Sequence, residues 1–107
     1  MIEIDPAAAL ELLDARDHYE NARSGLGSLF ELAVQRTLGA IEDAPERYPA
    51  HRFAATPGIR RVLLLPPPKF PYAIAYLLRP DKAPYVLAAE HFRRAPMYWE
   101  TRLRNQP

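Results

Sequence analysis

Leu26, Leu29, Phe30, Ala33, Val34, Thr37, Leu38 and Ile41 recur at steps of three and four residues, a spacing that predicts one amphipathic helix, stopped by Pro45. A weaker stripe precedes it: Ala8, Leu12, Ala15, Tyr19 and Ala22 share one helical face, while Glu11, Asp14 and Asp17 fall off it and read as a solvated face. That first helix should start at Asp5-Pro6, since Asp caps exposed amides and Pro is tolerated at the first helical position. It should end near Asn21. Between the stripes, Ser24-Gly25-Leu26-Gly27 reads as a turn in which glycine frees the backbone and Ser24 caps the second helix. Two helices joined so closely make a hairpin.

The period then changes. Pro45 to Gly58 carries turn residues and no repeat, so it reads as a long connection. Ile59 to Leu65, Tyr72 to Arg79 and Tyr85 to Phe92 are short runs rich in branched and aromatic residues. They are separated by Pro66-Pro67-Pro68 and by Arg79-Pro80-Asp81-Lys82, as in an antiparallel meander. Tyr72, Ile74, Tyr76 and Leu78 alternate with the smaller Ala73 and Ala75 and with Leu77, giving the helical hairpin a face to pack on. The same alternation in the last strand puts His91 with Ala89 and Leu87, opposite Glu90 and Phe92. Ile2 to Ile4 is expected to add a short strand at the sheet edge. The expected fold is α+β: an N-terminal two-helix hairpin on a small antiparallel sheet of three to four strands, as a single domain over residues 1–107. A chain of this length buries about two-thirds of its unfolded surface and supports one core.

Composition narrows the function classes. The longest apolar run, around Tyr72 to Leu78, is far short of the roughly 18 residues a membrane span needs, so no membrane partner is expected. The acidic start Met1-Ile2-Glu3-Ile4-Asp5 has no signal-peptide character, and a cytoplasmic protein is the simplest reading. The absence of cysteine excludes disulfides, thiol nucleophiles and cysteine-ligated metals. His18, His51 and His91 lack paired carboxylates at ligand spacing, and there is no glycine-rich phosphate loop, so neither metal nor cofactor is expected. Net charge is only +1, but it is unevenly spread. All acids except Asp81, Glu90 and Glu100 lie between Met1 and Glu46, and all Lys and Arg except Arg16, Arg23 and Arg36 lie from Arg47 onward. Such a dipole suits a polyanionic or acidic partner on the C-terminal half.

Several phrases occur in a telling order: Leu12 to Tyr19 closing on His18-Tyr19-Glu20, Ser24-Gly25-Leu26-Gly27 with Phe30, Pro45-Glu46-Arg47-Tyr48-Pro49, and Ile59-Arg60-Arg61-Val62-Leu63. Phe70-Pro71-Tyr72-Ala73-Ile74-Ala75-Tyr76 and then His91 to Trp99 complete the set. Together they resemble the plasmid-stabilisation, ParE-type branch of the RelE/ParE toxin superfamily, over nearly the whole chain. Two departures stand out: the first strand is short, and Leu65-Pro66-Pro67-Pro68-Lys69 interrupts a connection that is ordinarily tighter and more basic. The resemblance implies the toxin of a type II toxin-antitoxin module, held inactive by a cognate antitoxin. ParE-like toxins inhibit DNA gyrase. RelE-like toxins cut messenger RNA on the ribosome, and an inactive toxin-like binding module is a third possibility. The oligomeric state stays open.

Metal-free RNA cleavage needs a base for the 2′-hydroxyl, cations for the phosphate and a donor for the leaving oxygen. His91, Arg94 and Tyr98 are the candidates for that chemistry, although a lone histidine at a strand end is more often packed than catalytic. The middle strand, uncharged until Arg79, is poor at holding RNA, which moves weight to a protein-binding toxin. Target or antitoxin contacts would then fall on Arg60, Arg61, Arg93, Tyr98 and Trp99, because arginine and aromatic side chains dominate interfaces. The alternative for Trp99 is a C-terminal tail tucked over the core.

Overall fold

The computed structural model describes residues 1–66 and 70–107; of the loop expected at Pro66-Pro67-Pro68, the part from Pro67 to Lys69 lies outside the described residues. The elements run β1 (Glu3–Ile4), α1 (Pro6–Ala22), α2 (Leu26–Asp43), β2 (Ile59–Leu63), β3 (Tyr72–Arg79) and β4 (Lys82–His91), followed by a 3-10 turn, Glu100–Asn105. The sheet order is β1-β4-β3-β2. β2, β3 and β4 form the expected antiparallel meander, and the expected edge strand exists but runs parallel to β4, making the sheet mixed.

Asp5 starts α1 as anticipated, its Oδ1 accepting from the Ala7 N–H at 2.9 Å. Oδ2 of the same fully buried carboxylate accepts from the Tyr85 hydroxyl (2.9 Å) and Asn105 Nδ2 (3.1 Å), tying helix, sheet and C-terminus together. Burial, helped by the Asp5 hydrogen bond, pushes the Tyr85 hydroxyl from 10.0 up to about 12. A raised folded value contributes stability that is complete below the ordinary phenol range and is lost as pH climbs through the folded value. The urea midpoint should therefore fall between pH 10 and about 12, and less steeply in Tyr85→Phe. Tyr76, also raised by burial to about 12, leaves a residual decline in the variant. Identical slopes in wild type and variant would contradict the assignment.

The α1–α2 turn departs from expectation in its cap. Gly25, at φ 88°, occupies the N-cap position, and no side chain there makes the capping bond, so Ser24 does not serve. Instead Glu20 reaches across from α1 and its carboxylate accepts from the Gly25 and Gly27 N–H groups at 3.0 Å, supplying negative charge where the helix dipole favours it. A Cβ on Gly27 would stand 2.9 Å from the Arg16 carbonyl oxygen, so glycine sets how closely the helices approach. The apolar stripes are otherwise as expected, except that Ala22 and Leu29 are exposed.

Both faces of the sheet are covered. Ile74, Tyr76, Val86 and Ala89 pack under the helices with Phe30, Val34 and Ile41. On the other face, Ile59, Ala75, Leu77, Tyr85, Leu87 and Ala88 pack around Trp99. Two register shifts shape β4. Ala83-Pro84 form one bulge, opposite Leu78, which places a proline where no ladder hydrogen bond is required. The second, between the pairs Ala75↔Ala88 and Tyr76↔Val86, leaves Leu87 as an extra residue. Leu87 and Ala88 consequently face the same side, so Leu87 does not share a face with Ala89 and His91, contrary to simple alternation.

Candidate functional site

β1 ends opposite Val86, which leaves the edge of β4 beyond it without a strand partner. Side chains fill the gap. Glu11 Oε1 accepts from the Ala89 N–H (3.1 Å), Arg102 Nη1 donates to the Leu87 carbonyl (3.0 Å), and the Tyr98 hydroxyl lies 3.3 Å from the Ala89 carbonyl. The three also join one another: Tyr98 donates to Glu11 Oε2 at 2.7 Å and Arg102 pairs with Glu11 Oε1 at 2.8 Å. Glu11 is thus no solvated carboxylate; it caps an open sheet edge. Burial and the Glu11 hydrogen bond push the Tyr98 hydroxyl well above the phenol range, so it holds its proton. The group named as a candidate proton donor is committed to the fold.

A second buried carboxylate organises the other face. Glu90, only 5% exposed, accepts from Trp99 Nε1, from His51 Nε2 at 3.2 Å and from Arg61 Nε at 3.0 Å. His51 Nδ1 accepts from the Phe53 N–H at 3.3 Å, which leaves Nε2 as the ring's donor, directed at Glu90. His51 is placed by backbone pairing, since its N–H bonds the Ile59 carbonyl (2.8 Å) and Pro49 accepts from the Arg61 N–H (3.2 Å). Sequence reasoning passed over His51 and Glu90. The available signal was the inward parity of Glu90 in an otherwise apolar strand, because a carboxylate there demands partners.

Above Glu90 opens a cleft of about 220 Å³ whose lining includes Arg52, Phe53, Arg61, Phe92 and Arg94. Phe53 and Phe92 are 57% and 48% exposed. The Arg52 guanidinium lies 5.3 Å from the Phe53 ring centroid and that of Arg61 5.6 Å from Phe92. Arg94 stacks on the Tyr98 ring at 3.8 Å. His91 sits at the cleft wall, half-buried, its ring edge-on to Tyr72 at 5.0 Å and its Nδ1 accepting from the Arg93 N–H at 3.0 Å. His91 and Arg94 also line a neighbouring recess with Glu11, Asp14 and His18.

The structure brings Arg61, His91, Arg94 and Tyr98 to one cleft, with Arg93 exposed beside it. Arg60 lies elsewhere: its Nη1 donates to the Tyr48 carbonyl at 2.6 Å, holding the 45–50 connection against β2. Trp99 is fully buried, as the tucked-tail alternative requires, and offers no surface to a partner. Met97, at φ 65°, makes the turn that aims it inward. Among the described residues no group of three or more His, Cys, Asp or Glu is arranged to hold a metal ion, and no helix is long and apolar enough to cross a membrane.

Fold and cleft together define a two-layer α+β domain with a cationic, aromatic rim at the C-terminal end of β4. No protein-family model matches the chain, and no curated protein matches it.

Proposed function

We propose that this chain is the toxin of a type II toxin-antitoxin module of the ParE kind, neutralised by a cognate antitoxin and acting by binding DNA gyrase. The observation that carries the reading is the distribution of polar groups. The sheet is sealed by helices on one face and by the C-terminal segment on the other, while Arg52, Arg61 and Arg94 gather with the exposed rings of Phe53 and Phe92 at one rim. Such a rim has the composition of a protein interface. A nuclease reading is less well supported, because Tyr98 spends its hydroxyl on Glu11 and β3 carries no charge before Arg79. The element order and ordered phrases that resemble the superfamily supply the rest.

Purified chain should inhibit gyrase supercoiling without cutting messenger RNA on ribosomes, and its expression alone should slow growth. Ribosome-dependent cleavage would favour the RelE-like alternative. Silence in both assays with normal growth would leave an inactive binding module.

A further inference from the structure

The cleft is charge-imbalanced in a specific way. Arg52, Arg61 and Arg94 line it, and the carboxylate it contains, Glu90, is already engaged by Trp99, His51 and Arg61 Nε. Among the described residues no acidic side chain comes within ion-pairing distance of Arg52 or Arg94, and neither terminal nitrogen of Arg61 has a hydrogen-bond partner. Arg61 is oriented by Glu90 while it stacks on Phe92, so its free edge is pre-organised. Guanidinium forks held this way match carboxylates bidentately.

We propose that this cleft is the docking site for an acidic segment of a partner protein, its carboxylates pairing with Arg52, Arg61 and Arg94 and an apolar side chain lying against Phe53 and Phe92. The proposal rests on the reading of the rim as a protein-binding surface and supplies the chemistry of what binds there. Nucleic acid fits less well on two counts, and a small-molecule ligand on a third. Arginines already cover one face of Phe53 and of Phe92, which leaves poor platforms for stacked bases. The recess that continues past His91 and Arg94 is lined by Glu11 and Asp14, so a phosphate backbone running on from the cleft meets carboxylates. The volume, about 220 Å³, suits one or two side chains and falls below the roughly 300–1,000 Å³ of small-molecule sites.

The test is fluorescence anisotropy with the full chain and three labelled probes: a peptide of about ten residues alternating Asp and Glu with Leu and Phe, its Asn/Gln counterpart, and an oligouridylate of equal charge. The acidic peptide should bind, more weakly as salt rises, and the neutral peptide and the RNA should not. Arg52→Gln and Arg94→Gln should each weaken binding about three- to tenfold, with unchanged circular dichroism, because both side chains are exposed and, among the described residues, neither makes a hydrogen bond. Arg104→Gln, exposed but outside the cleft lining, should bind as wild type. Equal binding of the neutral peptide, preference for the oligonucleotide, no binding of the acidic peptide, or wild-type affinity in both cleft variants would overturn the proposal. The two readings fail separately: lost gyrase inhibition with intact peptide binding removes gyrase as the target, and intact gyrase inhibition without peptide binding removes the acidic docking site.

Discussion

Glu90→Ala is expected to lower unfolding free energy by about 3–5 kcal/mol, the range for removing one partner from a buried charge network. The carboxylate is 5% exposed and its acceptor oxygens satisfy the Trp99 indole N–H, His51 Nε2–H and Arg61 Nε–H. Arg61 is partly exposed and turns to water, so its loss is small. Trp99 and His51 have no such exit, and each buried donor left without an acceptor costs about 1–3 kcal/mol. Glu90→Gln should cost less, about 1–3 kcal/mol, but not nothing. The amide brings two N–H groups against three donors. Flipping His51 to the other tautomer to accept one of them would put a proton on Nδ1, where the Phe53 N–H already points. Urea unfolding followed by tryptophan emission reads both variants, since Trp99 is the protein's sole tryptophan. A Glu90→Ala midpoint equal to wild type would remove Glu90 from its place in the fold.

Trp99→Ala should cost a similar amount, about 3–5 kcal/mol, the usual range for truncating a buried aromatic. The indole is fully buried against Ile59, Leu77, Tyr85 and Leu87 and stands edge-on to His51 at 5.4 Å. The local consequence is the more diagnostic one. With the indole gone, the 3-10 turn keeps, among the described residues, the links of Arg102 to Glu11, Leu87 and the Tyr98 ring, that of Asn105 to Asp5 and the packing of Leu103, while Lys82 donates to the Pro107 carbonyl beyond it. The C-terminal segment should then become a protease target under conditions where the rest of the domain stays folded, visible as early cleavage after Arg102 or Arg104. Trp99→Phe retains most of the packing and loses only the N–H to Glu90, so it should fall between wild type and Trp99→Ala. Thermal melts by circular dichroism follow both, and resistance of Trp99→Ala to early cleavage would show that the tail is held by its polar contacts instead.

The elements legible in the sequence are those whose signal is local. The four-turn stripe of α2, the Asp5-Pro6 helix start and the branched-residue runs of β2 and β3 appear where periodicity placed them, because burial on one face imposes a 3.6- or 2-residue repeat. Where a bulge breaks the repeat, the reading slips: Leu87 was assigned to the wrong face because one inserted residue inverts the parity behind it. The helix cap slipped for a related reason. Ser24 is the local candidate, and the residue that does the work, Glu20, lies on the other helix. Likewise, Arg61, His91, Arg94 and Tyr98 could be chosen by residue type, and Trp99 could be read either as an interface residue or as a tail tucked over the core, but Arg60 could not be recognised as an internal tie, since its partner, the Tyr48 carbonyl, lies in the connection before β2.

His91 through Trp99 separates the two levels most clearly. By itself the sequence determined the α+β class, the order of elements and a segment dense in cationic and aromatic groups, all consequences of short-range pattern and composition. Tertiary structure decided which of those groups face out. Tyr98 and Trp99 are drawn inward by Glu11 and Glu90, carboxylates 87 and 9 residues away along the chain, while Arg94 is left at the surface beside Arg61. The physical reason is that a buried carboxylate must find donors wherever the fold brings them, and that requirement leaves no periodic trace in the sequence.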